Sequence, residues 1–254
     1  MRKLLLGSAM SLAMVSGAGA ADLYTKAPAY APAWSWTGFY IGANAGYAWG
    51  RDDISSVQIS PGAAAVDLAA TTAATSPSLR PNGFTGGGQI GYNWQTGNIV
   101  FGLEADFDYM GLRASQSVTA PFPSAPAASF TANTSMSTDW LFTARPRIGL
   151  AANNALFYVT GGLAVTDEKF NQTLALLPPF VVTSAASTTR AGWTVGGGVE
   201  WALKQNWSAK VEYLYADFGT LTTSGVIAPA AAGSTTNSVH LTTNIARVGI
   251  NYRY

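Results

Sequence analysis

The sequence contains no cysteine and a single histidine, and only 11% of its residues are charged. Without cysteine the fold holds no disulfide, and one histidine cannot build a multi-histidine metal site. The formal net charge of +1 gives no electrostatic reason to expect a nucleic-acid partner. Beyond the N-terminus there is also no run of about 18 apolar residues, the length that a membrane helix needs. These absences predict a chain without cofactor, structural metal or membrane helix.

The N-terminus has the parts of a secretory signal peptide. Residues 1–3 include two basic side chains, residues 4–15 are almost wholly apolar, and Ala-Gly-Ala ending at Ala20 provides a cleavage site of small residues. We predict that residues 1–20 are a cleaved signal peptide, with a cut after the next alanine as the second choice. Residues 21–35, which contain prolines among alanines, are predicted to form an extended periplasmic leader.

Residues 36–50 alternate in hydrophobicity with a period of two, which predicts a β-strand. One face presents Phe39 and Ile41, then alanines, then Tyr47 and Trp49; the other is polar or glycine. An apolar face with aromatic residues at both ends, along a segment of at least roughly 9–11 residues, is typical of a membrane strand with lipid on one side and a lumen on the other.

The same alternation recurs through the chain and defines eight predicted strands. They cover residues 36–50, 82–95, 99–111, 138–151, 155–166, 190–203, 207–218 and 239–254. Three tight turns alternate with four long external loops, near 51–81, 112–137, 167–189 and 219–238. Even strand number, short periplasmic turns and long external loops are typical of outer-membrane barrels. We therefore predict that residues 36–254 form an all-β, eight-stranded antiparallel up-and-down transmembrane β-barrel in the bacterial outer membrane.

Several motifs add a family resemblance that covers essentially the whole mature chain. The sequence resembles the alphaproteobacterial small outer-membrane β-barrel family, the outer-membrane immunogenic or "porin family" proteins. The resemblance rests on Trp36-Thr37-Gly38-Phe39-Tyr40-Ile41-Gly42, Gly88-Gln89-Ile90-Gly91-Tyr92-Asn93-Trp94, Gly102-Leu103-Glu104-Ala105-Asp106, Tyr158-Val159-Thr160-Gly161-Gly162-Leu163-Ala164 and Val211-Glu212-Tyr213-Leu214-Tyr215. It implies an abundant eight-stranded envelope barrel, with porin-like or haemin-binding roles proposed for some members.

Acidic and basic side chains share the lumen face of the predicted strands in equal number. Because unpaired charges in a narrow lumen are costly, we predict that they pair and fill it. Two clusters are expected, one of Glu104 and Asp106 with Arg145 and Arg147, the other of Glu212 with Lys210 or Arg247. The full set is Glu104, Asp106, Asp108, Arg145, Arg147, Glu200, Lys210, Glu212, Arg247 and Arg253.

Aromatic residues gather at the ends of the lipid face, where amphipathic rings favour the membrane interface. We predict two girdles rather than a haem or sugar platform. The periplasmic girdle is Phe39, Trp94, Phe101, Phe157, Trp201, Trp207, Tyr252 and Tyr254, and the outer girdle is Trp49, Phe84, Tyr109, Trp140, Trp193 and Tyr215.

Two motifs are weak candidates for chemistry. Residues 86–91 match G-x-G-x-x-G, but the strand alternation continues past them, so no helix begins there and nucleotide binding is not expected. His240 has Ser238 two residues away, and Asp217 reaches it only across a loop. We predict no catalytic, cofactor-binding or metal-binding residue.

The sequence favours a structural role: an integral outer-membrane barrel that supports the envelope and displays its external loops. The alternatives are a narrow porin-like diffusion channel and a surface receptor for a small ligand such as haemin. Expected partners are outer-membrane lipid and lipopolysaccharide, and the barrel-assembly machinery. The final run Ile250-Asn251-Tyr252-Arg253-Tyr254 resembles the recognition signal by which that machinery takes up its clients.

Overall fold

A computed structural model describes residues 34–176, 180–204, 206–228 and 233–254. The predicted signal peptide, and the predicted leader up to residue 33, lie outside the described residues. Within them the elements are β1 Gly38–Ile59, α1 Ala65–Ala74, β2 Ser78–Leu79, β3 Asn82–Thr96, β4 Ile99–Phe122, β5 Ala125–Ala152, β6 Ala155–Ala175, β7 Val181–Ala202, β8 Trp207–Ala228 and β9 Ser234–Arg253.

The eight long strands form a closed ring. Each strand from β3 to β8 pairs antiparallel with the next along the chain, β1 pairs with β3, and β9 returns to pair with β1 from Tyr40↔Arg253 to Ile59↔Ser234. The two-residue β2 pairs with β1 at Asp52 and Asp53. Closure gives every long strand two hydrogen-bonded neighbours. The predicted eight-stranded antiparallel barrel is thus confirmed.

The three predicted tight turns lie at one end of the barrel, here called the turn end. They join β3 to β4, β5 to β6, and β7 to β8, and the C-terminus of β9 lies beside them. Asn153, in the second turn, has a φ of 54°, a left-handed conformation that asparagine tolerates better than most residues. The opposite end, where the longer connections lie, is called the hairpin end.

Three of the four predicted long loops, 112–137, 167–189 and 219–238, are largely strands in the described residues, and this part of the prediction is wrong. In the segment 112–137, β4 continues to Phe122 and β5 begins at Ala125, with Ser115 paired to Ser135. The 24 residues of β4 extend about 80 Å at about 3.3 Å per residue, far more than a bilayer core of about 30 Å. Serine and threonine alternate along these segments and pair across the ladder, so a composition that resembles a loop forms a hairpin.

Segment 51–81 differs from the other three because it contains α1 after the end of β1. The carbonyl oxygen of Thr75, at the end of α1, accepts hydrogen bonds from Ser56 Oγ (2.6 Å) on β1 and Gln172 Nε2 (2.8 Å) on β6. Both donors face the lumen, so the C-terminal end of the helix is fixed inside the barrel at its hairpin end. The described residues contain no helix that is long and apolar enough to cross a membrane.

Side chains alternate between a buried lumen and an exposed outer wall along each strand. On β8, Val211 is 51% exposed, whereas its neighbours Lys210 and Glu212 are 1% and 2% exposed. The core of this protein is therefore its lumen, and its outer wall carries large exposed apolar side chains. That inversion is what a lipid-facing barrel requires.

Pro146 interrupts one ladder, as its missing N–H predicts. It lies opposite Leu103 on β4, but on the β6 side the paired residues step from Ala144↔Leu163 to Arg147↔Thr160. The register is unchanged across this gap. A register shift occurs instead between Ser137 and Leu141.

Candidate functional site

A network of buried charges crosses the lumen in the half nearer the turn end. Glu104 lies at its centre: Oε1 accepts hydrogen bonds from Arg145 Nη2 at 2.7 Å and Lys210 Nζ at 2.9 Å, and Arg147 Nη1 lies 3.6 Å from Oε2. These four side chains come from β4, β5 and β8 and are at most 1% exposed. The network therefore links strands on opposite sides of the ring.

Arg247 of β9 joins the acids of two strands. Its Nε donates to Glu212 Oε2 at 2.7 Å, Nη1 donates to Asp108 Oδ2 at 2.7 Å, and Nη2 donates to Asp106 Oδ2 at 3.1 Å. Arg145 completes the ring, since it donates to Asp106 at 2.7 Å as well as to Glu104. Such multiple charge-assisted hydrogen bonds offset the cost of keeping the ions out of water.

Neutral donors satisfy further carboxylate oxygens of the network. Tyr40 Oη donates to Glu104 at 2.8 Å, Tyr158 Oη to Glu212 at 2.9 Å, and Asn44 Nδ2 to Asp108 at 2.9 Å. Sequence reasoning missed these groups, although each has lumen parity on its strand. A polar side chain on the same face as several charges is the signal that would have identified them.

Glycines on the lumen face make room for these large side chains. A Cβ atom at Gly91 would fall against the hydroxyl of Tyr40, and one at Gly198 would approach the hydroxyl of Tyr158 at 2.8 Å. Both tyrosines donate to network carboxylates, so a larger residue at either glycine would displace a hydrogen-bond donor. The G-x-G-x-x-G match at residues 86–91 belongs to this pattern, because β3 runs through it without a break.

The structure corrects the predicted clusters in two respects. The two separate clusters are one network, because Arg247 contacts both Asp106 and Glu212. Arg253 lies nearer the turn end, with its guanidinium 4.1 Å from the ring centre of Trp34. Glu200 belongs to the network through Arg147, at 3.1 Å.

The lumen on the hairpin side of the network contains a packed layer of apolar side chains, which differs from the polar lumen expected from the sequence. This apolar layer is made of Ala48, Ile54, Leu79, Met110, Leu112, Met136, Leu141, Ala164, Phe170, Leu214, Ala216, Phe218, Val239, Leu241 and Ile245. A smaller group at the turn end, Trp36, Val100, Leu156, Tyr158 and Ala202, packs below the charges. The charged network therefore lies between two packed apolar layers.

Two carboxylates lie within the apolar layer, beyond the predicted membrane-spanning strands 36–50 and 155–166. Asp52 and Glu168 are both 0% exposed, and neither carboxylate has a hydrogen-bond partner among the described residues. Burial, and the charge of Glu168, raise the pKa of Asp52 to about 8. Burial raises the pKa of Glu168 to about 7, although Arg190 at 3.5 Å opposes the shift.

This pair predicts that the protein loses stability as the pH rises from about 4 to about 8. In that range the folded state holds protons that the unfolded chain releases, and each proton is worth roughly 1.4 kcal/mol per pH unit. We expect Asp52→Asn to flatten the pH dependence and to unfold later than wild type at pH 8, by urea titration of the folded barrel. The exposed neighbour provides the control, and Asp53→Asn should keep the wild-type slope. An unchanged slope in Asp52→Asn would contradict the assignment.

His240 has an acidic neighbour but no nucleophile. Its Nε2 lies 3.7 Å from Asp217 Oδ2, and Nδ1 lies 3.2 Å from Thr220 Oγ1 on the outer wall. Ser238 lies two residues along β9 and pairs with Thr222, and its hydroxyl has no hydrogen bond to the imidazole in the described structure. Among the described residues no group of three or more His, Cys, Asp or Glu side chains could hold a metal ion.

The predicted aromatic girdle residues all lie on the outer wall and none is buried. Ring pairs form at both levels: Phe39–Tyr254 at 6.0 Å near the turn end, and Trp193–Tyr215 at 5.6 Å further along the barrel. Among the more exposed girdle residues, the exposed fraction ranges from 39% at Trp49 to 77% at Phe84. The rings are thus available to an interface on the outside of the barrel.

Comparison with known families gives one match that covers nearly the whole chain. Residues 9–254 match the model of the outer membrane protein beta-barrel domain. A 31 kDa outer-membrane immunogenic protein of Brucella melitensis is 34% identical over 226 residues, which cover 86% of this chain and 88% of the relative. A 25 kDa outer-membrane immunogenic protein of Brucella abortus is 27% identical and covers 100% of this chain and 99% of that protein.

Solved structures give more distant likenesses. The outer membrane protein OprG from Pseudomonas aeruginosa has a TM-score of 0.46 at 13% identity and covers 86% of this chain and 97% of its own. Neisserial surface protein A has a TM-score of 0.38 at 13% identity, with 86% and 98% covered.

Proposed function

The chain belongs to the outer membrane protein beta-barrel domain family and is a protein of the bacterial outer membrane, and from this premise we propose that its role there is structural. In this proposal the barrel is a closed element of the envelope that carries extended hairpins beyond the membrane. Its turn end faces the periplasm and its hairpin end faces the exterior, as short and long connections do in such barrels.

The observation that supports a structural role is the filled lumen. The charged network, the apolar layer beyond it and the end of α1 follow one another along the barrel. An eight-stranded barrel is about wide enough for side chains to fill. In the network, the side chains of Arg145, Asp106 and Arg247 are 0% exposed. This packing disfavours the alternative of a diffusion channel, which needs a continuous water path.

The outer wall supports insertion in lipid between two aromatic girdles. Val211 and Val248, between the levels of the rings, are 51% and 58% exposed. Tyr254 is 73% exposed at the end of the last strand and packs on Phe39, where the barrel-assembly machinery would take up the chain. Lipid and lipopolysaccharide are the proposed surroundings of this wall.

The geometry favours a non-catalytic protein. His240, whose side chain is 48% exposed, lies beside the half-buried Asp217 on the outer wall, and no serine hydroxyl bonds to the imidazole in the described structure. An acid–base dyad of this kind needs a nucleophile or an oriented water within hydrogen-bond reach. The exposed imidazole also lacks the enclosed pocket that a haemin receptor would need.

Single cysteines on intact cells test the proposed orientation, and the chain has none of its own. A cysteine at Ser129, beside the tip of the β4–β5 hairpin, should react with a membrane-impermeant maleimide on whole cells. A cysteine at Asn98, in the turn between β3 and β4, should react only after the cells are lysed. Labelling of Asn98→Cys on intact cells would contradict the orientation.

Loss of the gene should raise detergent sensitivity, and unchanged sensitivity would contradict the structural role.

A further inference from the structure

A cavity of about 450 Å³ opens at the hairpin end, beside α1. The cavity is lined by Leu68 of α1 and by an apolar group, here called its floor, made of Phe122, Leu174, Phe180 and Val182. Ligand cavities commonly have volumes of about 300–1,000 Å³ and occur in the mouths of β-barrels. The cavity is separate from the charged network, which lies on the other side of the apolar layer.

The position of the helix explains why a cavity remains there. The end of α1 is held against β1 and β6 through Thr75, so the helix covers part of the mouth and leaves space towards β7 and β9. Leu174 and Val182 also pack against Phe130 and Ala132 in one buried cluster. The floor is therefore fixed by strand packing and is present before any ligand binds.

Two of the polar side chains that line the cavity, Gln58 and Thr71, already have partners. Thr71 Oγ1 donates to Gln58 Oε1 at 2.8 Å, and Gln58 Nε2 donates to Thr75 Oγ1 at 2.9 Å. Because these groups bond to one another, the surface offered to a ligand is largely apolar, and a ligand gains chiefly from removal of apolar area from water.

Charge narrows the class of ligand. Among the described residues that line the cavity, Asp67 is the one charged side chain, and it accepts a hydrogen bond from the backbone N–H of Ser124 at 2.9 Å. A carboxylate without a neighbouring base repels anions and tolerates neutral or cationic molecules. Haemin, with its carboxylates, does not fit this lining, which also has no histidine to bind iron.

We propose that this cavity binds a small, neutral and largely apolar molecule at the exterior end of the barrel. The apolar floor provides affinity, and Asp67 provides selectivity against anions. The site does not require a conducting lumen, since the ligand enters and leaves on the hairpin side.

Two dyes of similar shape test the proposal on the folded protein in lipid nanodiscs: neutral N-phenyl-1-naphthylamine and anionic 8-anilino-1-naphthalenesulfonate. We expect saturable binding of the neutral dye above the signal of empty nanodiscs, and binding of the anion about tenfold weaker, a difference of about 1.4 kcal/mol. Asp67→Asn should reduce this difference. Equal binding of both dyes by wild type, or no saturable binding of either, would overturn the proposal.

Cavity-filling variants locate the binding. Leu68→Trp, on the helix wall, and Ser234→Trp, on the β9 side, should each abolish saturable binding of the neutral dye. Val66→Trp is the matched control, because Val66 lies on the same helix, is 56% exposed and does not line the cavity. The two filling positions lie on different elements, so misfolding of one variant leaves the other as the test. Wild-type binding in a folded filling variant would refute the site.

Discussion

Replacement of Arg247 by methionine is expected to lower the free energy of unfolding by about 3–5 kcal/mol, the range for breaking a buried ion pair from one side. Arg247 donates to Glu212, Asp106 and Asp108. Methionine fills part of the same volume but removes a cation from all three acids, and Asp108 loses its one ion-pair partner among the described residues, whereas Asp106 and Glu212 keep Arg145. The loss should appear in urea unfolding of the refolded barrel.

Arg51→Met is the matched control, because Arg51 also pairs with an aspartate, at 3.2 Å, but its side chain is 63% exposed. Exposed pairs contribute about 0–1 kcal/mol, so this variant should unfold almost as wild type does. Addition of Asp108→Asn to Arg247→Met should recover part of the loss, because one of the stranded charges is removed. Equal effects of the two arginine substitutions would show that the network does not stabilise the barrel.

Replacement of Val211 by arginine should cost about 2–4 kcal/mol, the price of a basic residue on the lipid face near the bilayer midplane. On β8, Val211 lies midway between Trp207 and Tyr215, the two girdle residues of that strand, and is 51% exposed on the outer wall. The measurement is reversible unfolding of the barrel in lipid vesicles.

Thr222→Arg provides the control on the same strand and the same outer wall. Thr222 is exposed and lies beyond Tyr215 towards the hairpin end, where we expect it to lie in water. Its substitution by arginine should change stability by less than about 1 kcal/mol, because the cost of a basic residue on the lipid face falls to roughly that value near the interface. If both variants lose the same stability, Val211 does not face lipid.

The strand alternation predicts the membrane part of this fold because the signal is local. In residues 36–50, nearly every residue on the lipid face is more hydrophobic than its neighbours on the lumen face, and β1 has the predicted faces. The Ser- and Thr-rich hairpins show that contrast less clearly, because small and polar residues outnumber the apolar lumen residues such as Phe130 and Met136. Their pairing, such as Ser115 with Ser135, depends on residues far apart in sequence, which composition does not reveal.

The charged side chains of the lumen could be predicted, but not their partners. Parity places Glu104 and Arg247 in the lumen, yet nothing local shows that one arginine bonds to acids on both β4 and β8. The apolar layer was not predicted, because the charged residues of lumen parity indicated a polar lumen. The apolar residues of the same parity, such as Leu214 and Ile245, were not considered. Asp52 and Glu168 lay in segments predicted as loops, so their burial follows only from the extended strands and α1.

The central claim is that side chains close the lumen, and single-channel recording of the refolded wild-type protein in planar lipid bilayers tests it most directly. We expect no resolved current steps, because the network, the apolar layer and the end of α1 leave no continuous water path. Folding is verified on the same preparation by its strand content. A steady, large open-channel current from folded wild-type protein would contradict the account and favour a porin instead.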